Sequence, residues 1–237
     1  MGIMLGILGF SLIAYKMYSN LYKAQRTESL IKRFTKHRNS RLIILKKGKR
    51  SYIGISEAAK ICAILRRTHA DKRIDIILDT FGGKLSAIEM ICKSLIHHKG
   101  EINVFIPRYA FSGGTIIALL ADNIYLGKNA YIGPTDPQLF FPAVSILRAL
   151  NTNESNHDLT IIYGDMAEKA ILRTEKLLQQ ILNKNYSNHV AKQIIHDLNS
   201  GQYEHSQVLD YNDLKDHGLH IHNAVPNVIY KIMGYFN

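Results

Sequence analysis

The first fifteen residues, MGIMLGILGFSLIAY, are apolar with small residues interspersed and carry no charged side chain. From residue 42 onward the pattern changes to short β-branched runs that alternate with helical periodicity. RLIILKK (41–47) predicts a strand, and SEAAKICAILRR (56–67) predicts a helix with Ser56 as its N-cap. IDIILDT (74–80) reads as a compact buried strand, ended by Phe81-Gly82-Gly83. KLSAIEMICKSLIHH (84–98) puts Leu85, Ile88, Ile91, Cys92 and Leu95 on one face of an amphipathic helix. EINVFIP (101–107) is a further strand closed by Pro107. Ser112-Gly113-Gly114 then precedes an apolar helix, and NIYLG and AYIG follow as short strands bounded by glycines. From Pro142 the periodicity is mostly helical, over 142–150, 158–183, 186–199, 211–216 and 225–235.

Strands separated by helices predict right-handed βαβ units and a mainly parallel sheet, an α/β body over residues 41–237 with a helical C-terminal part. Ligands of such sheets sit beyond the carboxyl ends of the strands. Phe81-Gly82-Gly83 and Ser112-Gly113-Gly114 both follow strands, so both glycine loops are expected on one rim.

Charge changes the picture at the N-terminus. The formal net charge is +11, and residues 16–50 account for all of it, with twelve Lys or Arg against Glu28. An apolar run followed by a basic tract predicts a membrane anchor (1–18), a basic linker (19–40) and a body on the cytoplasmic side. Fifteen helical residues reach about 23 Å, short of a hydrocarbon core of roughly 30 Å, and extension through Tyr18 nearly closes the gap. A signal peptide is disfavoured, because no basic segment precedes the run and no A-x-A-like site follows it. Nucleic-acid binding is not expected, since no aromatic or glycine-rich recognition pattern accompanies the charges. Cys62 and Cys92 lie within helical runs and read as buried hydrophobes.

Ser112 carries the candidate chemistry, and its residue type alone leaves two roles open. A serine before a helix is a preferred N-cap. A serine at a strand-to-helix turn is also where a nucleophile gains exposure and backbone N–H donors. Glycines beside it let a substrate carbonyl approach the backbone. His217, His220 and His222 have no acid or Cys cluster beside them, and no phosphate loop, dinucleotide fingerprint or CxxC motif occurs. No metal or cofactor is implied.

The run from IDIILDTFGG through YAFSGGTIIALLAD to GPTDPQL, supported by AEKA (167–170) and SGQYEH (200–205), resembles the serine dehydrogenase proteinase family. These are ClpP-like, membrane-associated serine proteases, similar to signal peptide peptidase A. The resemblance implies a ClpP/crotonase fold, Ser112 as nucleophile and a homo-oligomer. Relatives of the peptidase A type use a lysine base from a downstream helix, and Lys169 in GDMAEKAILR matches that position. Such a lysine must be neutral, which calls for desolvation. The Gly113 N–H, with that of Gly82 or Gly83, is implied as the oxyanion site by analogy with other ClpP-like sites.

This sequence departs from the family pattern at two positions, with Phe81 in place of a proline and Asp79 in place of a histidine. A Ser-His-Asp triad of the ClpP kind would place its histidine near Asp136, yet no histidine stands between Ser112 and His157. Asp136 either bounds the site or forms a turn, and His205 is a further candidate to line the site, with a surface loop as its default reading. The expected activity is a membrane-anchored serine endopeptidase with a Ser112/Lys169 dyad, taking extended peptide along a strand edge, with Asp136, Phe81 and Asp79 near the substrate. The alternative is a catalytically silent ClpP-like scaffold in which Ser112 is a cap. A crotonase-fold thioester enzyme would need adenine-nucleotide recognition, of which the sequence has no sign.

Overall fold

The computed structural model describes residues 2–48, 51–152 and 155–235, giving the backbone alone for 2–16 and 18. The chain divides into two compact units, residues 1–40 with 226–237, and residues 41–225.

The first unit contains α1 (Gly2–Arg38), and its C-terminal segment carries a short helix near the chain end. Residues 19–40 were expected as a linker, but α1 runs through Arg38. The reason is local: residues 19–38 hold no Gly or Pro, and Glu28 pairs with Lys32 one turn on at 2.8 Å. Asn39 stops the helix at φ +48°, a conformation asparagine tolerates better than most residues. No described helix is long and apolar enough to cross a membrane. Residues 1–16 and 18, on whose side chains the anchor expectation rests, lie outside that description.

The second unit is built on a five-stranded sheet. Its strands are β1 (Ser40–Lys46), β2 (Arg73–Asp79), β3 (Ile102–Ile106), then β5 (Asn123–Leu126) and β7 (Ile221–His222) beyond a two-residue β4 (Tyr109–Ala110). They lie in the order β1-β2-β3-β5-β7, and the β2/β3, β3/β5 and β5/β7 pairs are parallel. β3 is buried throughout and β2 from Ile74 onward, as covered parallel strands are, which explains their largely apolar make-up around the buried Asp75 and Asn103. α2 (Ile55–Arg66) connects β1 to β2, and α3 (Leu85–Ile96) connects β2 to β3. α3 buries Ile88, Ile91, Cys92 and Leu95 as its periodicity predicts.

Ser56 is not the cap of α2, which starts one residue earlier, at Ile55. Gly54 precedes it, and the Gly54 N–H donates to Glu57 Oε2 at 3.0 Å. Lys47 Nζ donates to the other oxygen of Glu57 at 2.6 Å. The helical second half follows the expected pattern closely, with α5 (Ala143–Thr152), α6 (Asp158–Leu182), α7 (Asn188–Asn199) and α8 (Tyr211–Asp216) after the seven-residue α4 (Gly113–Leu119).

A second, two-stranded sheet positions the site. β4 runs parallel to β6 (Tyr131–Ile132). Ile132 exchanges two backbone hydrogen bonds with Leu209, at 3.0 and 2.9 Å, which draws the 200–209 segment alongside.

Candidate active site

Backbone pairing brings the two glycine loops together. The Thr80 N–H donates to the Tyr109 carbonyl at 3.2 Å, and the Phe111 N–H donates to the Thr80 carbonyl at 3.0 Å. The end of β2 and the approach to α4 therefore lie side by side. The Thr115 hydroxyl lies 2.8 Å from both the Ala110 and the Gly133 carbonyls, tying the turn to the segment just after β6. Every residue of α4 is buried, so this turn is rigidly seated.

Ser112 occupies that turn at φ +51°, ψ −117°. A non-glycine residue there bears a strain of about 1–3 kcal/mol, which persists only where the surroundings enforce it. Its side chain makes no capping bond to α4, so the cap role is not realised. Among the described residues its Oγ has no hydrogen-bond partner, and it lies on a cleft of about 740 Å³. Phe81, Gly83, Phe111, Gln138 and His205 share that cleft. A small recess of about 50 Å³ also touches Ser112 and Gly113, with Ile88, Ile116 and Asp136 on its wall.

The glycines stand against the serine. A Cβ on Gly82, at φ +101°, would fall 2.9 Å from both the Gly113 nitrogen and the Phe111 carbonyl oxygen. A Cβ on Gly113 would lie 3.2 Å from the Gly83 nitrogen. The Gly82 N–H donates to Thr80 Oγ1 at 3.1 Å, which removes it as an oxyanion donor. Among the described residues, the N–H groups of Gly83 and Gly113 donate to nothing. Two adjacent unused donors beside a strained serine are what stabilisation of a tetrahedral oxyanion requires.

The two family departures fall differently. Phe81 lines the cleft and packs on Tyr109 and Phe111, with ring centroids 4.6 and 5.7 Å away. Asp79, expected near the substrate, is instead buried and does not line the cleft. Arg108 Nη2 donates to its Oδ2 at 2.7 Å and compensates its charge. Burial, followed by the Asp79 carboxylate, pushes the neighbouring Tyr109 hydroxyl above its ordinary pKa.

Lys169 is not brought to Ser112 within one chain. It projects from α6 with its side chain 73% exposed and pairs with Asp165 at 2.7 Å. The burial that a neutral lysine needs is therefore missing from this environment. Asp136 is brought to the site, and so is a residue the sequence reading left on the surface. His205 Nδ1 lies 2.8 Å from Asp136 Oδ1, with Asp136 only 2% exposed, while Gln138 Nε2 donates to Asp136 Oδ2 at 2.6 Å. The 132–209 pairing makes this contact, across sixty-nine residues of sequence, and no local pattern announces it. The SGQYEH segment, which belongs to the family resemblance and ends on His205, is the available signal.

The mostly parallel α/β sheet, with Ser112 on the turn between β4 and α4, is consistent with a ClpP-like fold. The family profile of ClpP-like SDH-type serine proteinases matches residues 1–237, and the chain belongs to that family. Two similar proteins of Methanocaldococcus jannaschii are named uncharacterized proteins MJ1495 and MJ0137. The first is 38% identical over 199 residues, covering 83% of this chain and 68% of its own length. The second is 36% identical over 185 residues, 77% of this chain and 65% of its own length. The chain thus spans about two thirds of each relative.

Proposed function

We propose that the protein is a serine endopeptidase that hydrolyses peptide bonds through an acyl-enzyme on Ser112. The observation that carries this reading is the strained, unpartnered Ser112 beside the free Gly83 and Gly113 N–H groups. Ser112 Oγ attacks the scissile carbonyl carbon, and the two amides receive the developing oxyanion. Extended substrate lies in the cleft beside the glycine loops, with Phe81 and Phe111 against its side chains. Membrane attachment through residues 1–18 and the basic helical stretch after them belongs to the same proposal, with the catalytic body on the cytoplasmic side.

A Ser112/Lys169 dyad is the form of this reading that calls for a second copy, since Lys169 is exposed within one chain. Leu159, Ile162 and Met166 continue its face of α6 and are themselves exposed, a surface a homo-oligomer would cover. A silent scaffold is the second reading, favoured by the two departures from the family pattern, Asp79 and Phe81.

Labelling of the detergent-solubilised protein with a fluorophosphonate serine probe separates the two. The peptidase labels, and Ser112→Ala does not. A folded wild type that stays unlabelled is the scaffold's result.

A further inference from the structure

Resting on Ser112 as nucleophile, we infer that the small recess beside it receives the side chain of the residue whose carbonyl is attacked, and admits nothing larger there than alanine or serine. The recess is walled by Ser112 together with Gly83 and Gly113, the nucleophile and the two residues whose amides are free. The larger cleft reaches Ser112 and Gly83 but not Gly113. When a carbonyl carbon is bonded to Ser112 Oγ and its oxygen rests on the two amides, its Cα is the next atom and the side chain starts from there. The recess is the space which that side chain meets.

Size decides what enters. The recess holds about 50 Å³. A dry apolar cavity of about 150 Å³ takes benzene, so a volume about a third of that takes roughly two heavy atoms. Alanine and serine stay within that limit, and leucine and phenylalanine exceed it. The wide cleft, with Phe81, Phe111 and Val208 on its wall, is left for the neighbouring residues of the substrate.

The walls do not give way cheaply. Ile88, Ile116 and Thr174 line the recess and are all buried. Ile88 stands closest to the Gly113 donor, because a Cβ on Gly113 would fall 2.6 Å from its Cγ1 and 2.8 Å from its Cδ1. α3 buries Ile88 on the face that also carries Ile91 and Leu95, so displacing it would disturb close-packed core. The Thr174 hydroxyl donates to the Ala170 carbonyl at 2.9 Å, one turn back on α6. Asp136 also reaches the recess, but both its carboxylate oxygens are engaged, by His205 at 2.8 Å and by Gln138 at 2.6 Å. A lysine or arginine stem exceeds the volume as leucine does, so this carboxylate does not turn the subsite toward basic residues.

The test uses full-length protein in detergent and peptidyl diphenyl phosphonates that differ only in the side chain beside phosphorus: methyl for alanine, isobutyl for leucine, benzyl for phenylalanine. Ser112 Oγ bonds to phosphorus, and phenol leaves with the serine proton. A plain fluorophosphonate, which carries no such side chain, reports the nucleophile alone. In wild type the alanine analogue should react at least about 10-fold faster than the leucine analogue, since one surplus methylene in an apolar pocket already costs about that much. The phenylalanine analogue should be slower still. Ile88→Ala, verified as folded by its melting curve, should raise the leucine-to-alanine rate ratio about 10-fold. Ile88→Val, which removes only the Cδ1 end, should move the ratio the same way by less. A wild type that labels with fluorophosphonate but does not favour the alanine analogue overturns the inference and leaves the peptidase reading intact. A ratio that neither folded Ile88 variant shifts also overturns it, because the recess is then not what selects. A folded wild type that reacts with none of the probes overturns both.

Discussion

Gly82 and Gly113 are built against each other, since a Cβ on Gly82 would fall 2.9 Å from the Gly113 nitrogen. The turn after β2 therefore shapes the donor beside Ser112 as well as ending a strand. Gly82→Ala adds a methyl group where backbone stands and forces an L-residue to φ +101°. It should cost about 1–3 kcal/mol of stability by the strain alone, with more from the contact. Chemical denaturation reads the loss, and fluorophosphonate labelling of the remaining folded protein should fall with it.

Ser112 offers the opposite sign. Its positive φ is a standing cost that glycine would not bear. Ser112→Gly should be more stable than Ser112→Ala by about 1 kcal/mol, while both are unlabelled. Equal denaturation midpoints for the two variants would mean that the turn holds no strain.

The sheet and the glycine loops were legible because burial and period act locally. β2 and β3 had to be largely apolar, and the loops had to follow them at one rim. Positions set by distant pairing were hidden. β4 is only two residues long, and no periodicity reveals it. His205 reaches Asp136 through the 132–209 pairing, which a histidine in a polar segment does not foretell. Lys169 looked buriable beside Ala167 and Ala170, yet only Ala167 is buried, and the lysine side chain faces solvent with Asp165. Asp79 looked like a rim carboxylate because nothing in the sequence ties it to Arg108, twenty-nine residues on.

Glu57 should leave a mark on acid stability. The hydrogen bond from Lys47, then backbone N–H donors at the start of α2, pull its carboxyl from an ordinary 4.5 down to about 2. Because the folded value lies below the unfolded one, its contribution is complete above that ordinary value and fades as pH falls toward the folded value. Glu57→Gln should therefore lower the melting temperature at pH 6, and the gap to wild type should close between pH 4.5 and 2. A gap that stays constant across that range would show that the carboxylate's charge is not what matters.

The N-terminal proposal separates cleanly from catalysis. Deleting residues 2–18 should move the protein from the carbonate-resistant membrane pellet to the supernatant, with fluorophosphonate labelling retained. Full-length protein found in the supernatant would remove the anchor from the proposal. Release by salt alone would instead assign attachment to the basic tract, whose attraction for anionic lipid is screened within about a Debye length.

The exposed face of α6 carries the last prediction. Leu159, Ile162 and Met166 are 66%, 53% and 44% exposed and recur at helical spacing, so they form one stripe that water alone would cover. Phe140 and Phe141 add 82% and 68% exposed aromatic surface in the segment leading into α5, which packs on α6. A second copy covering this area would gain about 25 cal/mol for each Å² removed from water. Ile162→Glu would place a charge in that contact while leaving the chain's own core untouched, because Ile162 takes no part in it. Light scattering in detergent should then report a smaller species than wild type, with helical circular dichroism unchanged. An unchanged mass would rule this stripe out as the oligomer contact, and with it the α6 route by which Lys169 of one copy would be carried to Ser112 of another.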